Sequence, residues 1–219
     1  MSRIILAGLC VPALCIAGES APAPDELEAV VITASPIGDP EFLATVTGSV
    51  DRRSLVRSGA TNLADALAWV PGVTSSGAAP GASRPVVRGF DANRVRTLED
   101  GIGSFDTSDV GADHGVPLDP LAAERVEIVR GPATLRFGSQ AIGGVVNAIS
   151  GRVPQALVTQ SEGELVAGYG TVADSADFSG KANVAFGRVG LHADAFRRRA
   201  DDYDTPLGTL ENSWVHNEG

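Results

Sequence analysis

The sequence predicts a small α+β domain followed by antiparallel β-strands, and three features indicate this architecture. Residues 124–150 have the pattern of a strand, a short helix and a second strand. Helical and strand patterns are mixed over residues 41–123, as expected for a small mixed sheet with short helices. Residues 164–196 alternate between apolar and polar side chains, which predicts strands alone.

The stretch 124–150 places glycine at each of its breaks. A strand pattern ends at Gly131, and Pro132 suits the first turn of a short helix over residues 133–137, because its missing N–H needs no partner there. Gly138 is placed to end this helix in a left-handed cap, and a second strand follows. The stretch has no nucleophile–base pair and no phosphate-binding loop, so it is predicted to be a scaffold.

The residues before this stretch predict a strand over 45–50 and a short helix over 51–57. Thr61 is a suitable cap for a second helix over 62–69, and Pro71-Gly72 would stop that helix.

Two further strands are predicted at Pro85–Arg88 and Arg94–Leu98, as a hairpin-like pair. Residues 75–83 are predicted to form a loop of small residues. Residues 103–120 form a long segment without periodicity, and long loops in compact domains are often functional.

Charge and cysteine usage exclude several classes of function. The formal net charge of −10 argues against a nucleic-acid partner. Arg3 and the apolar run Ile4–Ala17 predict a secretory signal peptide cleaved after Ala17. Cys10 and Cys15, the two cysteines of the chain, lie within it, which excludes disulfides and thiolate metal sites from the mature protein.

A short β-branched run follows a linker of Ala, Pro and Glu at residues 18–24. Val30, Val31, Ile32 and Thr33 favour an extended backbone. The run is either the first strand of the domain or a peptide that a partner adds to the edge of its own sheet.

The alternating segment contains three candidate strands, over 164–170, 178–186 and 189–196, with a tight turn at Gly187-Arg188. Strands of about ten residues with one apolar face are typical of a transmembrane β-barrel wall. A soluble antiparallel sheet has the same period, so the alternation alone fits both. Residues 197–211 are predicted to form a charged loop.

These motifs resemble the plug domain of TonB-dependent outer-membrane receptors. The plug pattern E-R-(I/V)-E-(I/V)-(I/V)-(R/K)-G-P is present at residues 124–132, and A-x-G-G-(V/A)-(V/I)-N at residues 141–147. The segment SGATNLADALAWVPGV, the RGF sequence beginning at Arg88 and the DG pair at Asp100 also match the family.

The β-branched run resembles the family's TonB box. The resemblance implies that TonB binds the segment composed of Glu28, Ala29, Val30, Val31, Ile32, Thr33 and Ala34. It further implies a signal peptide at 1–17, a linker with the TonB box at 18–40, an α+β plug at 41–150 and the start of a transmembrane β-barrel at 151–219.

The family's barrel has about 22 strands. The resemblance therefore implies that the chain is an N-terminal fragment of a longer receptor or the product of a truncated gene. It also implies an outer-membrane location with the plug facing the periplasm. The expected partners are TonB with its inner-membrane energising complex, outer-membrane lipid and a nutrient. Neither catalysis nor a required cofactor is expected.

The long loop contains an adjacent pair, Asp113-His114, whose carboxylate and imidazole both suit Zn²⁺. Further ligands would come from barrel residues that this chain does not contain, or from Asp106, Asp109 or Asp119. The alternative is a solvated histidine beside an acidic residue. The loop resembles that of zinc-uptake receptors, where a D-H pair precedes a P-L segment and A-E-R. Zinc is the leading predicted cargo, with haem or an iron–siderophore as the alternative.

Two other interpretations remain open. The chain fits a soluble periplasmic binding module built from the plug and a small sheet, or a nonfunctional remnant of a receptor gene. His192 lies on the polar side of its predicted strand, where a structural role is expected.

Overall fold

The computed structural model describes residues 46–77, 81–103, 106–111, 113–152, 160–187 and 189–219. The predicted signal peptide, linker and TonB box lie outside these residues. In the ranges just given, no helix has the length and apolar character needed to cross a membrane.

The first described part, residues 46–152, is a mixed sheet with short helices, which we call the mixed-sheet domain. In chain order its elements are β1 (Val46–Asp51), α1 (Arg52–Ser58), α2 (Leu63–Leu67), β2 (Val73–Ser75), β3 (Pro85–Val87), β4 (Val95–Glu99), β5 (Ile102–Gly103), β6 (Arg125–Arg130) and β7 (Gly144–Ile149). Within the described residues the main sheet has the order β1-β6-β7-β4-β5, with β4 and β7 parallel and the other neighbours antiparallel.

Strands β6 and β7 are buried on both faces, because each face of the sheet is covered. On one face, Ile128 and Val146 pack with Leu55 of α1 and Leu63 of α2. On the other face, Val129 and its neighbours pack under the 3-10 turn Pro132–Phe137. The predicted α+β domain with a small mixed sheet is confirmed, and its core lies around the strand that begins the 124–150 stretch.

Both helices begin at a side-chain cap. Asp51 Oδ1 accepts a hydrogen bond from Ser54 N (2.8 Å) and starts α1. The cap of α2 is Asn62, whose Oδ1 accepts from Asp65 N (2.8 Å), so the predicted cap at Thr61 was wrong by one residue. Asn is a stronger N-cap than Thr, and the sequence offers both side by side.

The predicted hairpin of Pro85–Arg88 with Arg94–Leu98 was wrong. Strand β3 pairs antiparallel with β2, and β4 pairs in parallel with β7. The contact of Val73 with Val87 explains the difference, because these paired residues are both buried. Strand β2 has three residues, too few for an alternating pattern to be recognised, and it reaches into the segment predicted as a loop.

The 124–150 stretch is a strand, a short helix and a second strand, as predicted, with β6 and β7 antiparallel neighbours. The short helix is a 3-10 helix at Pro132–Phe137. Gly138 has φ +91° and ψ −175°, so it is extended in the mirror region open to glycine and does not form the predicted left-handed helical cap.

The second described part is an antiparallel sheet in the order β13-β10-β9-β8, which we call the wall sheet. Its strands are β8 (Glu162–Gly170), β9 (Ser175–Phe186), β10 (Val189–Ala200) and β13 (Val215–Glu218), with a small hairpin of β11 (Tyr203–Thr205) and β12 (Gly208–Leu210) inserted before β13. The three predicted strands are confirmed and are longer than expected. The loop predicted over 197–211 was wrong in part, because β10 continues to Ala200 and a hairpin follows.

The wall sheet has its apolar face exposed and its polar face covered by the mixed-sheet domain. The exposed fractions of Leu165, Phe178 and Leu191 are 78%, 53% and 56%, whereas those of Ser179 and Arg198 are 2% and 1%. A half-buried soluble sheet has the opposite arrangement, with its apolar face on the core.

Candidate ligand loop and domain interface

The segment from Asp106 to Pro120, which we call the ligand loop, connects β5 to β6 and contains the predicted metal residues. The ligand loop includes a 3-10 turn at Thr107–Asp109, and a second 3-10 turn, Pro120–Ala122, begins at its last residue. Asp106 and Asp119 cap these turns, because their carboxylates accept from Ser108 N (3.4 Å) and Leu121 N (2.8 Å). Two acidic residues of the loop therefore have local structural roles.

Asp113 and His114 form an exposed hydrogen-bonded pair. Asp113 Oδ1 lies 2.9 Å from His114 Nδ1, and the side chains are 83% and 50% exposed. This hydrogen bond holds the pKa of the Asp113 carboxyl below its ordinary value. A carboxylate on Nδ1 fixes the orientation of an imidazole and leaves Nε2 to bind a ligand, as it does for many metal-bound histidines.

The other acidic residues of the loop do not join this pair in a metal site. Among the described residues, no group of three or more His, Cys, Asp or Glu side chains is arranged to hold a metal ion. Asp119 is buried at the interface with the wall sheet. Asp109 is half-buried, and burial together with repulsion from Asp106 raises its pKa above 3.8. Among the residues that the structure describes, the pair offers one imidazole and one carboxylate, whereas a zinc site has three or four protein ligands.

Asp119 instead forms a buried ion pair with Arg198 of β10. Arg198 Nε and Nη2 donate to the two carboxylate oxygens at 3.1 and 3.3 Å, and the side chains of Asp119 and Arg198 are 0% and 2% exposed. Asn217 Nδ2 also donates to Asp119 Oδ2 (3.1 Å), and Asp177 Oδ1 lies 3.2 Å from Arg198 Nη1. Bidentate charge-assisted pairs are among the stronger polar contacts in proteins. The C-terminal end of the ligand loop is thus fixed to the wall sheet.

Arg52, the first residue of α1, holds the same region from the other side. Its Nη1 donates to Leu121 O (2.8 Å) and Ala123 O (3.0 Å), and its Nη2 donates to Ser179 Oγ in β9 (3.2 Å). Its Nε is hydrogen-bonded to Glu164 of β8. One guanidinium therefore contacts the turn after the ligand loop and two strands of the wall sheet.

A third group of contacts lies near the end of the mixed-sheet domain. Lys181 Nζ donates to both carboxylate oxygens of Glu124 (2.7 and 2.8 Å). Arg152 bridges Glu99 of β4 (3.2 Å) and Asp194 of β10 (3.2 Å). His192 Nε2 lies 3.1 Å from the same Asp194, which agrees with the structural role predicted for this histidine.

Sequence reasoning missed Arg52 and Arg198 as interface residues. The alternation of β10 could have identified Arg198, because it shares a face with His192 and Asp194. The incorrect loop prediction over 197–211 removed it from that strand. Arg52 occurs in a charged helical segment, where its sequence context does not distinguish it from Arg53 or Arg57.

Comparison with known proteins connects this geometry to a family. The family model of the TonB-dependent Receptor Plug Domain matches residues 41–145. These residues are a TonB-dependent receptor plug domain. The mixed-sheet domain is therefore a plug, and the ligand loop is one of the loops of this plug.

Individual relatives agree with this assignment. A segment of 88 residues, 40% of this chain, is 43% identical to the hemin receptor of Yersinia pestis and covers 13% of that protein. A segment of 127 residues, 56% of this chain, is 32% identical to the vitamin B12 transporter BtuB of Vibrio vulnificus and covers 20% of it. The chain thus spans a minor part of the length of these relatives.

Solved structures extend the likeness into the wall sheet. The ferric-catecholate import receptor Fiu of E. coli K12 matches 72% of this chain and 22% of its own, with 25% identity and a TM-score of 0.56. The receptor FpvA of P. aeruginosa, solved with heterologous pyoverdines, matches 74% of this chain and 21% of its own, with 22% identity and a TM-score of 0.60. The fold is a plug domain followed by antiparallel strands.

Proposed function

We propose that this chain forms the plug and the first wall strands of a TonB-dependent outer-membrane receptor for the active uptake of a scarce nutrient. The observation that carries the proposal is the reversed polarity of the wall sheet. Its apolar face is exposed at Leu165, Phe178 and Leu191, while its polar face packs against the plug. In a transmembrane β-barrel the apolar face contacts lipid and the interior is polar. A soluble periplasmic module would have to leave this apolar face in water.

Transport in this proposal requires TonB and involves no catalysis by the receptor. The segment Glu28–Ala34 is proposed to bind TonB by adding a strand to the edge of a TonB sheet, through backbone hydrogen bonds. Force on this segment would move the plug and admit the nutrient to the periplasm.

The test is uptake by the complete receptor in the outer membrane. Ile32→Pro removes a backbone N–H from the proposed added strand, so it should abolish uptake while leaving binding at the cell surface unchanged. Ile37→Pro, just beyond the box, is the matched control and should transport normally. Unchanged uptake by Ile32→Pro would exclude the proposed TonB segment, and a receptor that partitions into the periplasmic fraction would support the soluble module instead.

For the cargo we propose a nutrient with a metal centre that binds Nε2 of His114, with Asp113 orienting the ring through Nδ1 (2.9 Å). The number of ligands favours haem over a bare zinc ion. Haem iron carries four porphyrin nitrogens and uses an imidazole as an axial ligand. Zinc needs three or four protein ligands, and the described residues offer no such group. The relatives and structures named above bear the names of hemin, vitamin B12 and ferric chelates, and none of these names supports zinc.

Hemin and Zn²⁺ distinguish the two cargoes. His114→Ala should abolish hemin binding to the complete receptor, measured by Soret absorbance, whereas His216→Ala, an exposed histidine in β13, should bind normally. Zinc would be the cargo if the unmodified receptor neither binds nor transports hemin and His114→Ala loses Zn²⁺ uptake. If His114→Ala binds hemin and takes up Zn²⁺ as the unmodified receptor does, the Asp113–His114 pair is not the cargo site.

A further inference from the structure

The ligand loop is contacted at its other end by a buried arginine of the plug, Arg84. Arg84 directly precedes β3, and its backbone pairs with Ser76: Ser76 N donates to Arg84 O (3.0 Å), and Arg84 N donates to Ser76 Oγ (2.9 Å). Its side chain is 9% exposed. The backbone of Arg84 is therefore held in place independently of the contacts of its guanidinium.

The guanidinium of Arg84 reaches two segments of the chain. Its Nη1 donates to Ser108 O (2.9 Å) and Gly111 O (3.3 Å) in the ligand loop, and its Nη2 donates to Asp91 Oδ2 (3.1 Å). The two carbonyl acceptors lie within and just after the 3-10 turn Thr107–Asp109. A planar guanidinium with several fixed donors can hold two carbonyls at a set separation, which a lysine ammonium cannot do.

Gly111 connects this contact to the Asp113–His114 pair. The Gly111 carbonyl also accepts from His114 N (3.4 Å). A Cβ on Gly111 would lie 2.8 Å from Asp113 Oδ1 and 2.8 Å from His114 Nδ1, so the pair packs directly over the Gly111 Cα. Gly111 thus provides both the carbonyl that Arg84 holds and the surface on which the imidazole of His114 rests.

We propose that Arg84 is the positioning residue of the cargo site: through Gly111 it fixes the ligand loop so that His114 presents Nε2 in one orientation before the cargo arrives. This inference rests on the proposed function of the Asp113–His114 pair. Its physical basis is preorganisation, because a loop that is ordered before binding loses less conformational entropy when the ligand binds. Arg84 itself does not contact the cargo.

The first test needs no ligand. In the complete purified receptor, Arg84→Gln should raise hydrogen exchange of the amides of residues 107–114 at least tenfold. Arg84→Lys should give an intermediate rise, because lysine keeps the charge and loses the planar fork. Arg94→Gln, an exposed arginine before β4, is the matched control and should leave the rates unchanged. Rates in Arg84→Gln equal to those in Arg94→Gln would overturn the proposal, whatever the cargo is.

The second test uses hemin as the probe. Arg84→Gln should raise the Kd for hemin about tenfold and slow its association, while the Soret spectrum at saturation stays that of the unmodified receptor, because His114 is still the ligand. Gly111→Ala tests whether the pair rests on Gly111 and should also weaken binding, because the new Cβ displaces the pair itself. Arg84→Lys, which keeps the charge, remains informative if Arg84→Gln fails to fold.

The two hypotheses fail in different ways. If His114→Ala binds hemin normally, the cargo site is wrong, and the exchange measurement alone decides the role of Arg84. If His114→Ala loses binding while Arg84→Gln and Gly111→Ala bind normally, the cargo site stands and the positioning role is refuted.

Discussion

The buried pair of Asp119 and Arg198 gives the sharpest quantitative prediction. Arg198→Met removes the guanidinium and leaves the Asp119 carboxylate, which is 0% exposed, without its charged partner. Loss of one partner of a buried ion pair costs about 3–5 kcal/mol, because the other charge is left uncompensated. Asp119 retains hydrogen bonds from Leu121 N (2.8 Å) and Asn217 Nδ2 (3.1 Å), so we expect the lower end of this range.

Hydrogen exchange in the complete receptor measures this cost. A loss of about 3 kcal/mol corresponds to an increase of roughly 100-fold in the opening constant, since about 1.4 kcal/mol is a factor of ten. Amides of residues 119–123 should therefore exchange about 100-fold faster in Arg198→Met, provided that they exchange by local opening.

The neighbouring residue in β10 supplies the matched control. Arg199 pairs with Asp201 at the surface, and their side chains are 69% and 58% exposed. Exposed pairs contribute about 0–1 kcal/mol, so Arg199→Met should change the same rates less than about fivefold. Combining Asp119→Asn with Arg198→Met should recover part of the loss, because the orphaned charge is removed. Equal rates in Arg198→Met and Arg199→Met would refute the anchoring role of the buried pair.

Three further predictions follow from single residues. Leu191→Arg places a charge on the exposed apolar face and should reduce outer-membrane assembly, at a cost of about 2–4 kcal/mol near the bilayer midplane, whereas Leu207→Arg in the β11–β12 turn should assemble normally in the same membrane fractionation. Asp51→Ala removes the cap of α1 and should destabilise this helix by about 1 kcal/mol, as measured by hydrogen exchange. The hydrogen bond from Ser54 lowers the pKa of Asp51 below 3.8, so the destabilisation should be present at neutral pH and vanish as the pH falls through the folded-state pKa. The pKa of Asp109 is raised above 3.8, so ionisation of this carboxyl destabilises the folded loop as the pH rises. Asp109→Asn should therefore slow hydrogen exchange of the ligand loop at pH 7 relative to the unmodified protein, and this difference should disappear below pH 3.8. An equal difference at both pH values would contradict this reasoning.

The sequence predicted those parts of the fold that are determined by residues close together in the chain. The glycine and proline positions of residues 124–150 predict a strand, a short helix and a second strand, because each break has a conformational reason nearby. The alternation of β8 to β10 predicts strands for the same reason. Strand β3 was predicted at Pro85–Arg88, but its partner β2 was missed, because a strand of three residues is too short to show an alternating pattern. The pairing of β2 with β3 depends on the contact of Val73 with Val87.

The candidate site was predictable only in part. Asp113 and His114 are adjacent in sequence, so their pairing needs no knowledge of the fold. Asp119 and Arg198 are 79 positions apart, and no spacing rule joins an acidic loop residue to an arginine in a distant strand. Asp119 was consequently assigned as a candidate metal ligand, whereas the structure uses its carboxylate to hold a buried cation.

The ligand loop is held by two arginines of different origin, which makes their effects separable. Arg84 of the plug holds Ser108 O and Gly111 O, whereas Arg198 of the wall sheet holds Asp119 beyond the His114 pair. If the loop opens in two parts, Arg84→Gln should accelerate exchange at residues 107–114 and Arg198→Met at 119–123, each with a smaller effect on the other segment. Equal acceleration of both segments in both variants would mean that the loop opens as one unit. In that case a movement that breaks the Asp119–Arg198 pair would also release the Asp113–His114 pair. Under the proposed function, plug movement and cargo release would then be coupled.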